Sequence, residues 1–476
     1  PGGRWSVFSV TALGAFLASL DLSIVNVAFP ALARSFSHTG RPTLAWVITA
    51  YTIAFGALLV TAGRAADRLG RRRIFFTGVV VFLGGSALCG AAPTIGLLIG
   101  GRLLQGVGAA LLLPASLGLL LGSFPPERRS QVVALWGGIG ALAVATGPSL
   151  GAVLISAGGW RLAFYVNVPV GIVALVWGRL VLVETAPGTA SRLDLAGVLL
   201  SAGTLGSLVL AISQGSDWGW SDPRIVGCLV AAAGLGTTFV RRARRRPDGV
   251  LDLTLFRSRA FTVANVATVV YAMGFFALLL GNILFLTAVW HYSILRAGLA
   301  VAPGPLVVAL VAGFAGKLAQ RIGFRPVLLS GAAIMTASFA WYATRVGVHP
   351  AYVTEWLPAT LVTGLGIGAT FPVLSAAAVS SLRPDRFAVG GAVNQTARQV
   401  GGSLGIAILV AVLGHAQGGL DGLRAFRHLW IYCGATTAAT FLVATQLRAT
   451  RRAARTPRSA GPRRAAGRRA GAAATR

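Results

Sequence analysis

Of the twelve acidic residues in this 476-residue chain, eleven lie at or near the ends of apolar stretches, and only Asp21 falls well inside one. A carboxyl group removed from water has one chemistry readily open to it, the uptake and release of a proton, and a nearby cation opposes the uptake. Two arginines are similarly embedded, Arg102 and Arg398. Gln105 follows Arg102 by three residues, the separation that puts two side chains on one face of a helix. The five histidines (His38, His291, His349, His415 and His428) all fall near stretch ends. No cluster has metal-ligand spacing, no carboxylates pair inside an apolar stretch, and no phosphate-cradling G-x-x-x-x-G-K-[ST] occurs. Metal, paired-acid and ATP-driven chemistries are therefore not expected, and no cofactor is implied.

Those few charges must be carried by elements whose solvent is lipid. The chain is 55% hydrophobic and 11% charged, with a mean hydropathy of +0.74. An ordinary soluble domain is about 25% charged, so a soluble globule and bulk disorder are both excluded. Fourteen stretches approach the ~20 apolar residues of a membrane helix: 6–29, 44–62, 74–91, 95–121, 131–157, 162–183, 193–213, 225–240, 261–290, 298–318, 327–346, 353–380, 389–413 and 429–447. The first is long enough to be a span rather than a cleaved signal. The sequence opens at Pro1 without Met, so further N-terminal residues are expected to precede it. Cys89, Cys228 and Cys433 sit in separate stretches and read as packing residues. Spans 1 and 4 run in opposite directions; Asp21 lies nine residues before Pro30 in the first and Arg102 eight after Thr94 in the fourth. At ~1.5 Å per residue, that is roughly 13 and 12 Å below the same membrane face. The two are expected to pair, either as a switch or as a fixed ion pair that orders helices.

The loops on one side carry 20 Lys and Arg residues against 8 on the other, so most of the formal +30 charge is a topology signal that puts both termini in the cytoplasm. Gly63, Arg68, Gly70 and Arg72 recur as Gly316, Arg321, Gly323 and Arg325 at a constant separation of 253 residues. The expected organisation is a six-helix bundle over 1–184, a linker with two inserted spans over 185–258, a second six-helix bundle over 259–448, and a disordered basic tail over 449–476. The tail is expected to meet anionic lipid; RNA binding is the weaker reading, and no nucleic-acid partner is expected.

Four segments carry a resemblance. Leu20-Asp21-Leu22-Ser23-Ile24-Val25-Asn26-Val27-Ala28-Phe29-Pro30, Gly63-Arg64-Ala65-Ala66-Asp67-Arg68-Leu69-Gly70-Arg71-Arg72, Gly101-Arg102-Leu103-Leu104-Gln105-Gly106-Val107-Gly108-Ala109-Ala110 and Gly147-Pro148-Ser149-Leu150-Gly151-Ala152 stand in that order on spans 1, 2–3, 4 and 5. Together they resemble the motifs of the major facilitator superfamily, specifically its fourteen-helix drug:proton antiporters. Departures are small: Ala65, Ala143 and Ala152 stand where the family has Leu, Gly and Gly, and Gln320 replaces the acid in the second loop copy.

The resemblance implies an all-α integral membrane protein of the major facilitator fold, with two six-helix bundles and two additional central helices. It would be a multi-pass monomer in the cell inner or plasma membrane. It further implies proton coupling at Asp21 and Arg102. A cytoplasmic gate would be made by Gly63, Asp67, Arg68, Gly70, Arg71 and Arg72, with Asp67 capping span 13 near Arg386–Phe387 and Arg73 serving only as an anchor. An antiporter kink would lie at Gly147, Pro148 and Gly151. Asn26, Tyr51, Gln105, Tyr271, Phe275, Asn282, Phe371, Asn394 and Arg398 are the candidates to line a substrate cavity, each with packing as the plainer role. Arg398 either faces that cavity or bonds to carbonyls of a neighbouring helix. The expected activity is proton-driven export, by alternating access, of lipophilic drugs, antibiotics or other toxic small molecules, often cationic. A same-fold carrier of an amino acid, siderophore or lipid is the alternative, and a membrane transferase is remote for want of catalytic groups.

Overall fold

A computed structural model describes residues 3–184, 194–246, 251, 253–380, 382, 387–414 and 419–447. The expected basic tail lies outside the described residues, which form helices and no strand. The cause is the solvent: hydrocarbon offers no partner to a backbone amide, and a helix satisfies its amides within one segment. The long helices are α1 (Arg4–Ser35), α2 (Arg41–Leu69), α3 (Arg71–Ala91), α4 (Ile95–Ser123), α5 (Pro126–Gly158), α6 (Leu162–Val181) and α7 (Leu195–Trp218). They continue as α8 (Pro223–Arg245), α9 (Arg259–Ala288), α10 (Ile294–Ile322), α11 (Phe324–Arg345), α12 (Leu357–Ser380), α13 (Phe387–Leu413) and α14 (Gly419–Ala444). Twelve are long and apolar enough to cross a membrane; α5 and α14 bring the set to the fourteen that hydropathy leads one to expect.

Most helices outrun their apolar cores, because a helix that leaves hydrocarbon keeps its internal hydrogen bonds. α14 starts at Gly419 rather than near Leu429 and takes Asp421, Arg424 and Arg427 into its first turns. Two spans are broken. α6 is a short helix, Leu162–Tyr165, followed by Asn167–Val181, and α10 restarts at Pro303, where a missing N–H costs nothing in a first turn. By contrast α5 runs unbroken through Pro148, and α4 through Pro114. Asp222 caps the start of α8, and hydrogen bonds from Arg224 hold its carboxyl below the usual carboxylate range.

The repeated loop glycines have a backbone reason. Gly70 ends α2 at φ +103° and Gly323 ends α10 at φ +96°, conformations that a side chain would strain. In each case the next helix begins at once.

Within the first half, α4 packs on α2 and α3, and α1 on α5; within the second, α9 packs on α13 and α14, and α12 on α10 and α11. α7 and α8 pair with one another, and α7 rests on α2 and α13. The halves join along α2–α13 and α5–α10. Thr52 and Ser403 hydroxyls meet at 2.7 Å, and Thr396 Oγ1 donates to the Gly56 carbonyl at 3.0 Å. Gly298 lies against the Pro148 carbonyl so closely that an added Cβ would stand 2.7 Å from it. Trp160, Trp290 and Trp430 are buried in protein. The rings of Phe285, Trp290, Trp356 and Trp430 pack together, whereas Trp5 and Trp220 are exposed.

Candidate functional site

Asp21 is fully buried, and so is every side chain that holds it. Arg102 Nη1 donates to its Oδ2 at 2.5 Å; Gln105 Nε2 and Asn167 Nδ2 donate to its Oδ1 at 3.1 and 3.0 Å. Arg102 is held in turn. Its Nε donates to the Val47 carbonyl at 2.8 Å, its Nη1 also reaches Gln105 Oε1 at 2.7 Å, and its guanidinium lies 4.4 Å from the Tyr51 ring centroid. Ser86 Oγ completes the cage, accepting from Gln105 and Asn167. The contributing helices are α1, α2, α3, α4 and α6, all of the first half.

Small residues make the cage possible. Cβ atoms on Gly85, Gly101, Gly106 and Gly108 would collide with the neighbouring helix, so α2, α3 and α4 approach closely enough for short polar side chains to reach across. The arrangement can neutralise a carboxylate inside the membrane, and it can free one if the cage opens. Arg102 Nη2 and Asn167 Oδ1 have no partner.

Several cavity candidates belong to this cage or to packing. Gln105 is sealed inside the charged cluster and lines no open space. Tyr51 lies under Arg102, with its hydroxyl directed at the Ala18 carbonyl at 3.4 Å. Asn26 donates to the Leu22 carbonyl one turn back in its own helix. Asn394 ties α13 to α9 through Asn265 Oδ1 and Thr268 Oγ1 at 3.2 and 3.0 Å. Asn282 is buried, and its Oδ1 has no partner. Ser86 and Asn167 escaped the sequence reading, because lone polar residues in apolar spans carry no periodic signal.

The second half holds a different cluster. Arg398 lies 4.0 Å from the Phe371 ring centroid, and its Nη2 donates to Ser375 Oγ at 2.6 Å. Its neighbour is thus a hydroxyl and a ring on α12, rather than the backbone carbonyls weighed as one alternative. Phe371 contacts Phe275 and Tyr271 at ring separations of 4.8 and 5.8 Å. Those three aromatic candidates therefore converge on one arginine.

At the α2–α3 junction, Asp67 pairs with Arg71 at 2.8 Å, while Arg71 Nη1 also bonds to the Gly118 carbonyl on α4 at 3.0 Å. Arg72 stacks over Phe76, and Arg68 is exposed. The partner expected for Asp67 at Arg386 lies outside the described residues. The carboxylate that caps a helix here is Glu184, which accepts from the Arg72 and Arg73 amides at 3.0 Å each. It fits because Gly70 has no Cβ to block it. Glu184 lies just beyond the end of α6, more than a hundred residues in sequence from the Arg72 and Arg73 amides it caps, which is why local reading missed it. Gly63 faces Pro114, with room for ordinary contact. On α5, Gly147 presses on Ser23 and Gly151 on Ile24, so this face is fitted to α1.

The family model of the Major Facilitator Superfamily matches residues 11–406 and 264–470. The chain is similar to the multidrug resistance protein Stp of Mycobacterium tuberculosis (33% identity, over 85% of this chain and 74% of that protein). It is similar to the tetracenomycin C resistance and export protein of Streptomyces glaucescens (30%, over 88% and 77%). It is also similar to the puromycin resistance protein pur8 of Streptomyces alboniger (36%, over 86% and 82%).

Proposed function

This chain belongs to the Major Facilitator Superfamily, and from that premise we propose that it is a secondary active exporter of drug-like small molecules driven by proton exchange. It is a multi-pass membrane protein rather than an enzyme, and relatives named for multidrug, tetracenomycin C and puromycin resistance support efflux of toxic compounds. The observation that carries the coupling reading is the Asp21 cage. Of all the acids in the chain, Asp21 alone sits deep within a span, and Arg102 holds it.

A buried ion pair is poor stabilisation, because desolvating both charges offsets most of their attraction. Its presence is understandable if the pair must sometimes separate. Proton binding to Asp21 cancels the attraction to Arg102 and loosens the contacts that tie α1 to α4 and α6. The shift of α1 is passed to α5 through the fitted faces at Gly147 and Gly151, and α5 meets the second half at Gly298. Asp67, Arg68, Arg71 and Arg72, with Glu184, form the inner gate in this reading, while Arg73 anchors the loop. The protein works in the cell's inner or plasma membrane, with both termini cytoplasmic, as a monomer without cofactor.

The test is reconstitution in liposomes with an imposed pH gradient and a panel of lipophilic dyes and antibiotics. Wild-type protein moves at least one compound only when the gradient is present, and Asp21→Asn reduces that flux to the level of empty liposomes while inserting normally. Unchanged flux in Asp21→Asn refutes the coupling role. Gradient-independent movement refutes antiport.

A further inference from the structure

We infer that Arg398 and the aromatic wall beside it form the recognition site for an anionic, planar aromatic cargo, one that presents a carboxylate or phenolate; this rests on the export reading above for its physiological meaning. Arg398 lies eleven residues into α13, roughly 16 Å along the helix from Phe387. Charge at that depth requires compensation, and no carboxylate among the described residues supplies it. From Arg259 to Leu447 the only carboxyls are Glu355, Asp385 and Asp421. Glu355 accepts from the Gly347 amide near the start of α12, Asp421 lies in the first turn of α14 beside Arg424, and Asp385 precedes α13. No carboxylate among the described residues pairs with Arg398. Its one hydrogen-bond partner is the neutral Ser375 hydroxyl, its Nε has none, and the side chain is only half-buried.

The rest of the site suits a flat ring system. Phe371 lies beneath the guanidinium, Phe275 stands 4.8 Å from Phe371, and Tyr271 stacks on Phe275 at an interplanar angle of 15°. A planar aromatic acid would extend that wall while its oxygens took the free edge of a guanidinium already oriented by Ser375, the geometry in which arginine binds carboxylates best. A cation in the same place would meet an uncompensated positive charge. The chain therefore does not share the preference for cations expected of a lipophilic drug pocket.

Three related probes test this: 9-anthracenecarboxylate, 9-anthracenemethanol and 9-(aminomethyl)anthracene, which share one ring system and carry an anionic, a neutral and a cationic substituent at the same position. Binding to the full-length protein in nanodiscs, measured by fluorescence without any gradient, is expected to be about tenfold tighter for the carboxylate than for the alcohol, the worth of one charge-assisted hydrogen bond, and weaker still for the amine. Arg398→Gln should erase the preference, and Arg398→Lys should keep part of it. Equal binding of all three by the wild type, no saturable binding of the carboxylate, or an unchanged preference in Arg398→Gln would each overturn the inference. The wild-type ranking needs no variant to fold. Because it is read at equilibrium, selective binding without gradient-driven flux would sink the coupling reading alone, and coupled flux without anion preference would sink this one alone.

Discussion

Each half of the molecule holds an embedded arginine stacked on an aromatic ring, and the two are resolved in opposite ways. Arg102, over Tyr51, is closed in a cage with a carboxylate, two amides and a backbone carbonyl, and nothing in it is exposed. Arg398, over Phe371, has one neutral hydroxyl and, among the described residues, no carboxylate. The first half answers its arginine with a carboxylate of its own, the pair proposed above as the coupling element. The second leaves a charge unanswered, which is how a protein reads a ligand. In the readings proposed above, coupling and recognition fall to different bundles, which meet through the α2–α13 and α5–α10 contacts.

The largest expected effect would break this division outright. Asp21→Asn abolishes the response of flux to a pH gradient, whereas Arg398→Gln keeps that response and alters only which compounds are moved. If liposome assays show both variants equally uncoupled, the division is wrong. Next in size is stability. Arg102→Met strands a buried carboxylate and is expected to cost about 3–5 kcal/mol. Arg398→Met removes an uncompensated charge and should cost less than about 1.5 kcal/mol. Unfolding in detergent, followed by denaturant titration, compares the two.

Packing should not distinguish the halves, and a third pair of variants sharpens the point. A Cβ at Gly108 would strike the Phe82 backbone amide, and one at Gly405 the Met273 carbonyl, neither of which can swing aside. Gly108→Ala and Gly405→Ala are each expected to cost roughly 1–3 kcal/mol by overpacking. A large disparity in the same titration would mean that the halves differ in fit as well as in charge. The smallest effect concerns the gate. Glu184→Gln weakens the cap on α3 by about 1 kcal/mol. Asp67→Asn changes stability by less than that, since its pair with Arg71 is half exposed.

The sequence by itself determined the fourteen helices, because long apolar runs in lipid can satisfy their amides in no other way. It also determined that Asp21 and Arg102 share a depth, because rise per residue is constant. It exposed the repeat at Gly70 and Gly323, because a chain reversal that needs positive φ leaves a glycine behind. Tertiary structure decided which side chains face each other. Hydropathy makes every polar residue in a span look alike, so Gln105 and Tyr51 read as cavity residues until the approach of α2, α3 and α4 enclosed them. Tyr271, Phe275, Phe371 and Arg398, far apart in the chain, read as four separate hints until α9, α12 and α13 brought them together. Helix periodicity sets a residue's depth and its face; only the packing of neighbouring helices sets what that face meets, and the charge balance of a membrane site depends on that meeting.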